Sequence, residues 1–142
     1  YDSSVQFPIG GSKTIYSSDK DVVTVIAAGI TVHEAMKAYH LLKKEHIYIR
    51  VIDCYSIKPI DKKTILKAMK ETRAIITVED HYPHGGLGSI IAEVIAGDKH
   101  TVSFSIMAVN KLPRSGKPDE LLEYEEISSQ AIVKKVKKIL TR

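Results

Sequence analysis

Asp21–Asp53, DVVTVIAAGITVHEAMKAYHLLKKEHIYIRVID, sets two apolar runs on either side of one amphipathic stretch. Val22 to Ala28 is almost continuously apolar and rich in β-branched residues, the pattern of a strand buried on both faces. Gly29 follows, and then Thr31-Val32-His33-Glu34, which has the form of a capping box: threonine at the N-cap, glutamate three residues on. The helix predicted behind it carries Val32, Ala35, Met36, Tyr39 and Leu42 on one face and ends near Lys44 and Glu45. Ile47 to Ile52 is a second buried strand. A buried strand, a helix and another buried strand make a βαβ unit, whose strands pair in parallel.

The cycle repeats downstream. Asp61 can cap a helix whose apolar face includes Ile65, Ala68 and Met69, and Ala74 to Val78 is a third buried strand. Leu87, Ile90, Ile91, Val94 and Ile95 give a helical stripe, and Gly97 is placed to supply a left-handed residue at its end. Thr101 to Val109 is a fourth strand of this kind, and Asn110 to Lys117 a basic, proline-containing loop. Pro118 suits the first position of a helix, with Asp119 and Glu120 complementing its dipole, and Ser129 opens the last helix. Upstream, residues 1–12 contain Pro8, Gly10 and Gly11, show no apolar period, and read as a linker to a single domain over residues 13–142. Lys13 to Tyr16 is a short strand joined to Val22 by a connection too short for a crossover, so it must run antiparallel to its successor. The class predicted is α/β, with a largely parallel sheet covered on both faces.

Composition narrows the function. The 142 residues suffice for one compact domain, and 44% are apolar. The formal charge of +4 does not gather into a nucleic-acid footprint. Lys134, Lys135, Lys137 and Lys138 form a solvated face of the last helix, opposite Ile132, Val136, Ile139 and Leu140. No apolar run approaches the roughly 20 residues of a membrane helix. A lone cysteine, Cys54, makes no internal disulfide and fits the reducing cytoplasm. The chain begins at Tyr1 rather than methionine and carries no signal peptide, so it is expected to be a fragment of a longer protein.

Ligands of open α/β sheets bind beyond the carboxyl ends of the strands. Three segments converge there: Ala28 to Thr31, Asp53 to Pro59, and Glu79 to Gly88. The third, EDHYPHGGLG, is the richest in chemistry. Gly85, Gly86 and Gly88 lead into a helix, whose backbone N–H groups favour an anion. The same glycines can instead serve a tight turn and close helix–sheet packing. Glu79, Asp80 and His81 suit acid–base work; equally, they can cap the next helix, bond the turn or meet a partner surface. His81 and His84 have H-x-x-H spacing, but a metal needs at least three converging ligands and no matching pair occurs elsewhere. Cys54 has no histidine near it in sequence and suits a small buried side chain. Arg114-Ser115-Gly116-Lys117 lacks the phosphate-loop frame, with Pro118 where a serine or threonine belongs.

Four segments in order, Asp21–Asp53, SIKPIDKKTILKA (Ser56–Ala68), ITVEDHYPHGGLG (Ile76–Gly88) and AVNKLPRSGKPDELL (Ala108–Leu122), resemble the C-terminal domain of transketolases of the animal-like and split bacterial type. The resemblance implies a three-layer α/β/α domain with a five-stranded mixed sheet, the first strand antiparallel to the rest. It also implies membership of a homodimeric enzyme that transfers a two-carbon ketol unit between sugar phosphates of the pentose phosphate pathway. That enzyme uses thiamine diphosphate with Mg²⁺ or Ca²⁺. The family holds the cofactor through a GDG…N motif and an activating glutamate in other domains. This chain has no GDG, and Asn110 is its only asparagine. Catalytic, cofactor-binding and metal-binding residues are therefore expected outside it. Pro83 and His84 stand where the family often has an aromatic residue and a glutamate. What remains for Glu79, Asp80, His81, Gly85, Gly86 and Gly88 is an interface or an anion site, with other transketolase domains or subunits as partners. Two alternatives stay open: an anion-binding regulatory module, and the assembly domain of a 2-oxoacid dehydrogenase component.

Overall fold

The computed structural model describes residues 1–141. Its strands are β1 (Lys13–Tyr16), β2 (Val23–Ala27), β3 (Ile49–Asp53), β4 (Ala74–Val78) and β5 (Ser103–Met107). The helices are α1 (Ile30–Lys44), α2 (Lys62–Glu71), α3 (Leu87–Ala96), α4 (Pro118–Tyr124) and α5 (Ser129–Leu140). The sheet order is β1-β3-β2-β4-β5, with β2 to β5 parallel and β1 antiparallel to β3.

The central strands β2 and β4 are buried at every position because each face of the sheet has its own helical layer. Val23, Val25 and Ala27 of β2 point to the layer of α1 and α5, where they meet Ala35, Leu42, Ile132 and Val136. Ile26 of the same strand points the other way, with Ile52 and Ile75, to Ile65 and Met69 of α2 and Ile91 of α3. Each such side chain is worth about 1.5–3 kcal/mol when fully buried. A strand read one residue out of register would lose little apolar contact, so the ends of the elements have to fix the register.

At those ends the structure departs from the sequence reading. The proposed capping box is not formed. The chain enters α1 through Gly29 at φ 61°, a backbone angle that glycine tolerates, and Thr31 already lies inside the first turn. Its hydroxyl sits 2.8 Å from the Ala28 carbonyl oxygen and 2.7 Å from that of Val78, tying α1 to β4. Glu34 reaches away from the cap, accepting from the Ser129 N–H at 2.7 Å and pairing with Lys37 at 2.7 Å. Burial opposes its charge, but the bonds from Lys37 and Ser129 prevail and hold its pKa below the ordinary value. Gly97 is right-handed, at φ −81°. The left-handed residues after helices are His46 and Glu126, at φ 58° and 60°. In each case the next N–H reaches back into the helix, Ile47 to Leu42 at 3.0 Å and Ile127 to Leu122 at 3.0 Å. β1 runs in the direction expected but does not lie beside β2. It passes to the far side of β3, which pairs with both.

Three helix starts follow their sequence signals. Pro118 occupies the first turn of α4, and Ser128 accepts from the Ala131 N–H one residue before the expected opening of α5. Asp61 accepts from the Thr64 N–H at 3.0 Å and from its hydroxyl at 2.7 Å, and takes a third bond from Ser12 at 2.8 Å. Burial of Asp61 raises its pKa, but the bonds from Thr64 and Ser12 outweigh that and lower it overall. Asp61→Ala should therefore cost about 1 kcal/mol at neutral pH. A carboxylate with a depressed folded pKa stabilises fully above its unfolded value, about 3.9, and ceases to do so as pH falls through the folded value. Urea midpoints of the two proteins should differ at pH 7 and converge in the acid range below that value.

Candidate functional site

The strand register lines up Asp53, Ala27, Val78 and Met107 at one level, so the loops after β3, β2, β4 and β5 share one end of the sheet. β2 leads into α1 on one face and β4 into α3 on the other, which makes the space between β2 and β4 the crevice where such folds receive ligands. Here the chain fills that crevice itself. Thr31 bridges it through the Val78 carbonyl.

Glu79, the residue after β4, turns inward and is 3% exposed. Its carboxylate accepts from the Leu87 N–H at 2.7 Å and the Gly88 N–H at 2.8 Å, one bond to each oxygen. These are the α3 donors that the glycine turn was expected to offer to an anion, so they are not free: the anion is a side chain of the same loop. The glycines make room for it. A Cβ on Gly86 would overlap the Glu79 carboxylate, and one on Gly88 would lie 2.7 Å from Ile106 and 2.9 Å from Glu79. Gly85 has φ 76° and open space around it, so its need is conformational. Ser89 fastens the loop further, accepting from the Gly85 N–H at 3.0 Å and donating to the Pro83 carbonyl at 2.5 Å.

Asp80, His81 and His84 point outward and are exposed. His81 Nδ1 lies 2.7 Å from the carbonyl oxygen of Tyr82, and among the described residues no hydrogen bond joins His81 to Glu79 or Asp80. Glu79 is thus turned inward while Asp80 and His84 stay outside, and His81, although its Nδ1 and the Glu79 carboxylate both border the position a Gly86 Cβ would take, bonds instead to the loop backbone. No group of three or more histidine, cysteine, aspartate or glutamate side chains able to hold a metal occurs among the described residues.

A cavity of about 570 Å³ lies beside the β2 and β3 ends, lined by Ile15, Val32, Met36 and Ile57 with Asp53 and Cys54. The Tyr1 hydroxyl donates to Asp53 at 2.6 Å. Burial, then this bond, raises the Tyr1 pKa. Cys54 is buried, and that burial, reinforced by the charges of Asp53 and Asp61, pushes its thiol up to about 12. A thiol so rarely ionised is no nucleophile.

The rest of this end is apolar and uncovered. Among the described residues six large apolar side chains stand exposed, and all six belong to it: Tyr1, Phe7, Ile9, Ile30, Tyr82 and Leu112. Ile30 follows β2, Tyr82 follows β4 and Leu112 follows β5. Tyr1, Phe7 and Ile9 are held against the loop after β3, through the Tyr1–Asp53 bond, the Phe7–Tyr55 edge contact and the 2.8 Å bond from the Gly10 N–H to Ser56.

A family model described as "Transketolase, C-terminal domain" matches residues 12–132. The chain belongs to the transketolase C-terminal domain family. It is similar to transketolase of Rattus norvegicus, 46% identical over 143 aligned positions that cover 100% of this chain and 23% of that protein. Transketolase of Homo sapiens is 44% identical with the same coverage. A solved structure of a split-gene transketolase, an inactive β4 tetramer, superposes with a TM-score of 0.90 at 33% identity, over 99% of this chain and 46% of that one. The chain thus spans about a quarter of the length of the curated relatives it matches. The mixed five-stranded sheet with its antiparallel first strand is the fold of this family, as the resemblance implied.

The thiamine diphosphate and divalent cation implied by the family do not fit the residues here. The N–H donors that would meet a diphosphate at α3 are already taken by Glu79, and among the described residues no three metal-ligating side chains gather. Sequence reasoning left the role of Glu79 open and missed that of Thr31; the only available signal was a carboxylate one loop ahead of a glycine-started helix.

Glu79→Ala would strand two buried donors, and should cost about 2–6 kcal/mol at roughly 1–3 per unsatisfied group. Gly86→Ala should cost about 1–3 kcal/mol by displacing the same carboxylate. Because both act on one contact, the double variant should fall short of the sum of the singles in denaturant unfolding.

Proposed function

We propose that this chain serves as the C-terminal assembly domain of a transketolase, in which residues 13–142 form the folded unit and residues 1–12 the connection into it. The whole enzyme would move a two-carbon ketol unit between sugar phosphates in the cytoplasm, as a homodimer, with thiamine diphosphate and Mg²⁺ or Ca²⁺ held by its other domains. One observation carries the reading: the exposed large apolar side chains gather at the very end of the sheet whose ligand crevice the chain has plugged. An end whose helix donors are satisfied internally and whose exposed large side chains are apolar suits a docking surface. Asp80 and His81 lie on its rim and would meet the facing domain or subunit, whereas Glu79, Gly85, Gly86 and Gly88 shape the loop that presents them. The split-gene relative forms a β4 tetramer, which is consistent with such a surface.

Two measurements test this. The isolated chain should unfold cooperatively, show no ketol transfer, and keep its thermal midpoint when thiamine diphosphate and Mg²⁺ are added. A true site at 100-fold excess over its Kd would contribute about 2.7 kcal/mol. In the whole enzyme, Tyr82→Asp with Leu112→Asp should weaken assembly, while His81→Ala should hold turnover per assembled active site within about tenfold of the parent. A loss of about 10²–10⁴-fold at intact assembly would instead make His81 a general acid or base.

A further inference from the structure

β5 is an open edge of the sheet: among the described residues β4 is its one strand neighbour. Among the described residues the remaining backbone bond to it comes from the Glu79 N–H to the Met107 carbonyl. Ser103 is exposed, and Phe104, Ser105 and Ile106 are half-buried. A row of backbone donors and acceptors is therefore left without partners, the arrangement that accepts an added strand.

The two sides of this edge differ in chemistry. On the α5 side two adjoining hollows, of about 320 and 410 Å³, separate β5 from the helix and share Lys135 and Lys138. Lys134 lines the first, and Arg73 closes the second. Among the described residues none of these four cations has a carboxylate within 4.0 Å, whereas Lys137, on the α1 side of the same helix, pairs with Glu45 at 2.6 Å. The acidic residues at the mouth are engaged. Glu125 accepts from the Asn110 and Lys111 N–H groups at 3.2 and 3.1 Å, and Glu126 lies 3.9 Å from Lys111. On the α3 side the edge presents Phe104, packed on the α2–α3 core, and Ile106, which touches the position of Gly88.

We propose that the β5 edge binds an extended acidic segment of a partner chain, added as a sixth strand, in which acidic and apolar residues alternate. Side chains of a strand alternate between faces, so the acidic set would meet Lys134, Lys135, Lys138 and Arg73 while the apolar set covers Phe104 and Ile106. A second copy of this chain is a poor occupant, because pairing β5 with β5 would bring two lysine rows together. The competing role for the lysines is to keep the edge from pairing at all.

The test uses the whole chain and an end-blocked, fluorescein-labelled peptide EVEVEV. Polarisation at about 0.15 M salt follows binding, and amide exchange follows residues 103–107. Saturable binding with slowed exchange at β5 is expected. Affinity should drop at least tenfold for the Lys135→Glu/Lys138→Glu protein, and likewise for a peptide with proline as its fourth residue, which removes a backbone donor. Should the charge-reversed protein fold poorly, Lys135→Gln/Lys138→Gln replaces it, with a smaller loss expected. Absence of saturation up to about 1 mM peptide overturns the proposal. So does equal binding by EEEVVV or the proline peptide, which would reduce the effect to charge alone. Indifference to the lysine changes, or preference for a single-stranded oligonucleotide, also overturns it.

Discussion

The carboxylate of Glu79 holds together three things that the fold needs at one point. It ends β4, neutralises the positive end of α3, and fills the space that two glycines leave bare. Take it away and the first turn of α3 has buried donors with nothing to accept from them. Replace a glycine and the carboxylate has nowhere to sit. The loop between β4 and α3 is therefore determined by a mutual fit of one acid with Gly86 and Gly88, and the residues around it are fastened to that fit through Ser89, Pro83 and Gly85.

The same fit bears on function. Folds of this kind usually leave helix N-termini and the crevice between diverging strands open to an anionic ligand. Here an internal anion satisfies the helix, and a hydroxyl from α1 crosses the crevice to β4. What then remains at this end is shape and apolar surface, with His81 and Asp80 displayed on it. The proposed assembly surface at this end rests on that division. The open β5 edge on the flank of the sheet is a separate surface with a different character, basic where the carboxyl end is apolar.

The ends of the helices divide into those a sequence shows and those it conceals. Asp61 caps α2 and Pro118 starts α4 as their local patterns indicate, since both effects act within one turn of chain. Thr31 and Glu34 have the form of a capping box yet direct their polar groups to Val78 and Ser129, 47 and 95 residues away. His46 and Glu126 take left-handed angles that are seldom assigned to such residues, because the chain beyond each helix is already pinned by β3 and by α5. In these cases a distant partner outweighed the local preference.

The sequence by itself determined the alternation of buried strands and helices, the parallel core of the sheet, the reversed direction of β1 and the segments that meet at its carboxyl end. These depend on apolar period and connection length, which are local quantities. It also narrowed the loop from Glu79 to Gly88 to a few roles. Tertiary structure alone decided among them. Whether a carboxylate caps a helix, binds a metal or faces solvent depends on which donors come within about 3 Å of it. Glu79 found the N–H groups of Leu87 and Gly88, while Asp80, one residue on, was left outside. Neighbours in sequence came to opposite environments because a chain leaving a strand turns successive side chains to opposite sides, and only the packed sheet settles which side is the interior.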